Sequence, residues 1–134
     1  MDERRPDYLT PGWRLTLGVV WVATMLAMIT VWKTSQQLGI STWWLGPFGD
    51  PNPFVVRVLP MVPAALMIGL IVGDSRWTIP VGALGGAAIV IVGVIDLDYI
   101  ARLGVVEIVV GVAAAAGTLA AIVGRTGRPS ADGR

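Results

Sequence analysis

Long apolar runs alternate with short polar connections along this chain, and the runs are longer than the buried elements of a soluble domain need to be. Crossing about 30 Å of hydrocarbon at a rise of about 1.5 Å per residue takes about 20 mostly apolar residues in a helix. Four segments fit, at about residues 13–32, 54–72, 78–95 and 104–124. Pro11 is placed to open the first and Lys33 to close it. A Gly73-Asp74-Ser75-Arg76 turn follows the second, Asp96 ends the third and Arg125 ends the fourth. Residues 1–12 and 125–134 are left as polar end segments. The predicted fold is all-α, a four-helix transmembrane bundle. The first run does not read as a cleaved signal peptide: its apolar core exceeds the roughly 7–15 residues of a signal segment, and Lys33-Thr34-Ser35-Gln36 is no small-residue cleavage site.

Composition agrees with a lipid environment. Of 134 residues, 54% are hydrophobic, the mean hydropathy is +0.71, and the 14% that are charged fall mainly at the ends and in the connections. Cysteine and histidine are both absent. That removes disulfides, thiolate nucleophiles, Cys or His zinc sites, His-ligated haem and any Ser-His-Asp triad. The glycines follow no strand and form no phosphate loop. The sequence therefore offers no catalytic, cofactor-binding or metal-binding residue. A net charge of +1 without a basic cluster argues against nucleic acid as a partner.

Orientation follows from the basic residues. One side of the predicted bundle carries Arg4, Arg5, Arg14, Arg76, Arg125, Arg128 and Arg134, and the other carries Lys33, Arg57 and Arg102. Seven against three places both termini in the cytoplasm and the bundle in the cytoplasmic membrane. Indole rings favour the membrane–water interface. On that rule Trp13 and Trp77 mark the inner interface, Trp32, Trp43, Trp44 and Tyr99 the outer one, and Trp21 alone falls in mid-span.

Residues 33–53 form the only long connection, with three prolines and three glycines that argue against a continuous helix. Trp43, Trp44, Leu45 and Phe48 are expected to lie on the headgroups or to cap the bundle, with a ligand-binding lid as the alternative. The string Trp43-Trp44-Leu45-Gly46-Pro47, then Pro51-Asn52-Pro53-Phe54, Leu59-Pro60 and Val106-Glu107, resembles a group of small four-span membrane proteins of high-GC Gram-positive bacteria. The resemblance covers residues 40–124 and implies the architecture without implying an activity.

Ionisable groups within hydrocarbon are costly unless paired or hydrated, which makes Arg57 and Glu107 the candidates for function. Each lies three residues below the start of a span entered from outside, so they share a depth and have opposite signs. An Arg57–Glu107 ion pair is expected, with Asp96, Asp98 and Arg102 forming a polar cluster on the outer face. At about 100° per residue Glu107 shares a face with Gly111, Ala114, Ala115 and Thr118. Gly82, Gly86 and Gly93 align on the third span, and Thr16, Ala23, Ala27 and Thr30 on the first. Such stripes are expected to pack helices closely, within the chain or between copies of it. Pro60 and Pro63 should kink the second span and free a carbonyl that Arg57 could satisfy.

The function these features point to is a non-enzymatic accessory or structural component of the membrane. Its expected partners are lipids and a larger membrane protein or further copies of the chain. An oligomeric transporter or channel using Glu107 and Arg57 is the second reading, and a lipid-modifying enzyme the third.

Overall fold

The computed structural model describes residues 8–125. Arg4, Arg5, Arg128 and Arg134 therefore lie outside the described residues, as do most of the two polar end segments. Among the described residues the chain is all-helical, with no strand and one isolated bridge between Leu9 and Arg125.

Helix α1 spans Pro11–Leu38, 28 residues with proline at its start, where a missing N–H costs nothing. Lys33 does not end it. The helix continues until Gly39, which takes the left-handed conformation (φ 63°) while the Ile40 N–H donates to the Ser35 carbonyl at 2.9 Å. Nothing in Thr34-Ser35-Gln36-Gln37 breaks a helix, and Ser35 is buried against the bundle.

The second apolar segment is built from helix α2 (Phe54–Val58), a 3-10 turn (Leu59–Met61) and helix α3 (Val62–Val72). Pro60 sits in the 3-10 turn and Pro63 in the first turn of α3, so both prolines occupy positions that tolerate the lost donor. Arg57 donates no hydrogen bond to a carbonyl freed there. Helix α4 spans Thr78–Ala120, 43 residues, and a second 3-10 turn follows at Ala121–Gly124.

The structure thus has three helical segments long and apolar enough to cross a membrane, Pro11–Leu38, Phe54–Val72 and Thr78–Gly124, where the sequence predicts four. The difference lies in the third connection. Residues 96–103 contain neither proline nor glycine, so hydrogen-bonded helix runs through them and only Ile100 departs from it (φ −147°, ψ 96°).

That one residue redirects the chain. A straight helix of this length would reach about 65 Å, twice a bilayer's hydrocarbon thickness. Instead residues 78–99 fold back along residues 101–120, and the contact is nearly backbone to backbone. A Cβ placed on Gly93 would lie 2.7 Å from the Gly104 carbonyl oxygen, one on Gly86 2.7 Å from Ala115 Cβ, and one on Gly82 2.5 Å from Thr118 Cγ2. A Cβ on Gly111 would lie 2.7 Å from the Val90 nitrogen. Pairings that run 82 with 118, 86 with 115 and 93 with 104 describe an antiparallel hairpin closed by small residues.

The buried positions repeat at alternating spacings of three and four. They are Leu17, Trp21, Thr24, Met28, Val31 and Ser35 on α1, and Gly104, Glu107, Gly111, Ala114 and Thr118 on the second half of α4. This is the seam expected of gently supercoiled helices. On α1 it differs from the expected stripe. Thr16 and Thr30 are exposed and bond back to their own helix, at Gly12 O (3.0 Å) and Leu26 O (2.8 Å). The large residue Trp21 takes the buried face because Gly85 leaves room for it, a Cβ there lying 3.3 Å from the indole Cη2. Its Nε1 donates to Thr118 Oγ1 at 3.1 Å, and Thr118 Oγ1 donates to the Ala114 carbonyl at 2.8 Å. Trp21→Phe should lose this bond and some packing volume, lowering unfolding free energy in detergent by roughly 1–3 kcal/mol. A denaturation midpoint equal to wild type would show that the bond adds nothing to the core.

The bundle has two distinct ends. At one, the Thr10 N–H donates to the Gly124 carbonyl at 3.1 Å and the Trp13 ring packs on Gly124. There Arg14 Nη2 also donates to the carbonyls of Ile71 (3.1 Å) and Val72 (3.2 Å), with Nε 3.6 Å from Asp74. At the other end, residues 39–53 fold over the bundle beside the turn at Ile100. The exposed surface between the ends is apolar, with Leu15, Val19, Leu66, Leu84, Ile91 and Val109 among the side chains facing outward. These features are compatible with a membrane protein.

Candidate functional site at the loop end

Residues 39–53 form a compact folded segment. After Gly39, the Leu45 N–H bonds Thr42 Oγ1 (3.3 Å), the Gly46 N–H bonds the Thr42 carbonyl (3.0 Å) and the Asn52 N–H bonds the Leu45 carbonyl (3.0 Å). Asn52 Nδ2 donates to the Trp43 carbonyl at 2.8 Å. Gly46 carries φ 77°, and a Cβ there would strike the Asn52 nitrogen at 2.7 Å, so only glycine fits this crossing of the loop on itself.

Asp96 is the point to which the loop is fastened. Its Oδ1 accepts the Trp43 N–H at 3.1 Å and its Oδ2 accepts Trp44 Nε1 at 3.1 Å. Both Asp96 and Trp44 have no exposed surface. Trp44 is therefore a core residue, not an interface anchor, and its ring meets Trp32 edge-on at 6.3 Å. Trp13, Trp32 and Trp43 are half-buried, and Trp77 is exposed with the Arg76 guanidinium 5.6 Å over its ring.

Arg57 and Glu107 are not paired. Glu107 is fully buried, and neither of its carboxyl oxygens has a hydrogen-bond donor placed to bond it. Its polar neighbours are the Asp96 carboxyl and the Trp44 indole, whose N–H is already directed at Asp96. The glycines set this neighbourhood: Glu107 Cβ rests on Gly93, and the Asp96 backbone rests on Gly104. Arg57 lies on the other side of the indoles, its guanidinium 5.7 Å over the Trp32 ring and 5.9 Å over Phe54. Arg57 and Glu107 are thus joined through a file, Arg57–Trp32–Trp44–Asp96–Glu107, with no direct contact between its ends.

The expected outer-face polar cluster divides accordingly. Asp96 turns into the bundle, while Asp98 and Arg102 stay exposed on either side of Ile100. Gly82, Gly86, Gly93 and Gly111 are buried and Ala115 is half-buried, all at the hairpin seam. Ser35, Thr42 and Asn52 carry weight in this site that the sequence reading did not assign. Asp96 had a signal: it continues the spacing of Gly82, Gly86, Ile89 and Gly93 by three, the step that also separates Gly104 from Glu107.

No protein-family model, curated protein or solved structure matches the chain. The functional reading rests on these residues.

Proposed function

We propose that this chain is a small integral membrane protein of the cytoplasmic membrane, crossing it four times with both termini inside, and that it serves as a non-enzymatic accessory or structural component. The observation that carries the reading is the engagement of Asp96 by Trp43 and Trp44. The interior polar groups around it fasten a loop over one end of the bundle and leave an apolar surface for lipid or partner helices. The fold-back at Ile100 supports two crossings by α4, and the Leu9–Arg125 bridge supports both termini on one side.

Single cysteines in this cysteine-free chain test the arrangement. Gly49→Cys and Tyr99→Cys should react with an impermeant thiol reagent on sealed cells, and Ser130→Cys, beyond the described residues, should not. Labelling of Ser130→Cys from outside would mean that α4 crosses once and would overturn the topology. Co-purification of a stoichiometric larger membrane protein in mild detergent is the result expected of an accessory role. A homo-oligomer alone would favour transport.

The transport reading keeps one observation in its favour, the two buried carboxyls of Asp96 and Glu107 side by side, which could hold a proton or small cation between them. If Glu107 is structural, Glu107→Gln supplies a donor toward Asp96 and should hold or raise stability by up to about 1 kcal/mol. A clear loss of stability together with lost cation- or proton-coupled uptake in vesicles would put transport first.

A further inference from the structure

Beside the fastened loop lies a cavity of about 260 Å³ lined by Ser35, Gln36, Ile40, residues 45–48, Pro51 and Arg57. Two of its polar members lack the partners that burial demands. The Ser35 hydroxyl, on a residue only 1% exposed, has no hydrogen-bond partner. Arg57 Nε is buried and also has none, and the guanidinium takes part in no ion pair or hydrogen bond among the described residues. The neighbours of its guanidinium are aromatic, the rings of Trp32 at 5.7 Å and Phe54 at 5.9 Å, and neither offers a carboxylate or carbonyl acceptor to its N–H groups.

A buried hydroxyl and a half-buried arginine whose Nε is buried without a partner, together in one cavity, are the complement of an oxyanion. The planar fork of arginine matches phosphate with two parallel N–H bonds, and a serine hydroxyl can supply a third donor. Gln36 lines the cavity beside them, and Lys33, one helical turn earlier on α1, lines an adjoining pocket that Gln36 shares. Asp50 is the nearest acidic residue in sequence, and it is exposed and does not line the cavity.

Size and surroundings narrow the ligand. The volume falls below the roughly 300–1,000 Å³ of pockets that engulf a drug-sized molecule, so it suits a phosphate with a few attached atoms. Phe48, which lines the cavity, and Phe54, beside Arg57, are exposed apolar side chains along which acyl chains can lie. Basic pockets between membrane helices are a known means of holding lipid headgroups.

We propose that this cavity is a phosphate-binding site, with Arg57 and Ser35 as the direct donors, for the phosphate of a lipid headgroup or for free phosphate. The proposal rests on the membrane reading above, but its test in detergent does not depend on topology or partners. Purified full-length protein in a maltoside detergent is titrated with dihexanoyl phosphatidic acid and, separately, with inorganic phosphate, following intrinsic tryptophan fluorescence from Trp32 and Trp44. Wild type should bind at least one probe saturably. Arg57→Gln should weaken that binding tenfold or more and Ser35→Ala about fivefold. Ser35→Ala removes an unpartnered hydroxyl and should unfold at the wild-type temperature, which separates lost binding from lost folding. Tighter binding of the lipid than of inorganic phosphate assigns a headgroup, and equal affinity assigns free phosphate. Saturable binding of neither probe, or equal affinity in wild type, Arg57→Gln and Ser35→Ala, overturns the proposal.

Discussion

Gly104→Leu is expected to prevent the chain from reaching its folded state, and Gly104→Ala to cost about 1–3 kcal/mol of stability on its own. A Cβ at this position would lie 2.6 Å from the Gly93 carbonyl oxygen and 2.7 Å from the Leu97 nitrogen. Both atoms are backbone and cannot rotate aside. The two halves of α4 would have to separate just beyond the turn at Ile100, where the hairpin has least freedom to adjust. Gly18→Ala and Gly69→Ala provide the control, since a Cβ at either meets nothing within 4 Å. There alanine should stabilise the helix by about 0.5–1 kcal/mol. The same chemical change should therefore have opposite signs at seam and surface, read from thermal or denaturant unfolding in detergent. Equal effects at Gly18 and Gly104 would mean that α4 does not close on itself through this seam.

The hairpin shows which parts of the structure sequence reasoning reaches. The apolar runs and the small-residue stripes follow from period and side-chain size alone, and Gly82, Gly86, Gly93 and Gly111 stand where such a stripe would bring helices together. The joining of the third and fourth runs did not follow. Asp96, Asp98 and Arg102 read as a polar break, but charged residues are compatible with helical backbone, and the structure turns at apolar Ile100. The α1 stripe was missed for a related reason. Selecting small residues picked Ala23 and Ala27, whereas the groove beside Gly85 accepts the largest side chain available, Trp21. Pairing Arg57 with Glu107 considered depth and charge but omitted the loop. Once residues 39–53 fold inward, the Trp44 ring joins Trp32 of α1 in the space between those groups, and no local pattern in Trp43-Trp44 distinguishes a ring lying on lipid from one inserted into the bundle.

The fastening of that loop is the second feature on which a large effect depends. Asp96→Ala should cost on the order of 3 kcal/mol, because it leaves the Trp43 N–H and Trp44 Nε1 buried without an acceptor, at about 1–3 kcal/mol for each unsatisfied donor. The substitution also removes the carboxyl that stands beside Glu107. Asp96→Asn isolates the two effects, since its amide keeps one acceptor oxygen while removing the charge. It should fall between wild type and alanine. Stability alone would not identify the loop as the element released, so the second readout is local. Gly49→Cys sits on an open part of the loop, and protease cleavage or thiol cross-linking there should accelerate strongly in the Asp96→Ala background. A double-mutant cycle with Trp44→Phe, which removes the same indole donor, should show a coupling of about 0.5–3 kcal/mol. Additive losses, with loop protection unchanged, would mean that Asp96 does not hold Trp44. The file of contacts from Arg57 through the indoles to Glu107 would then have no fixed centre.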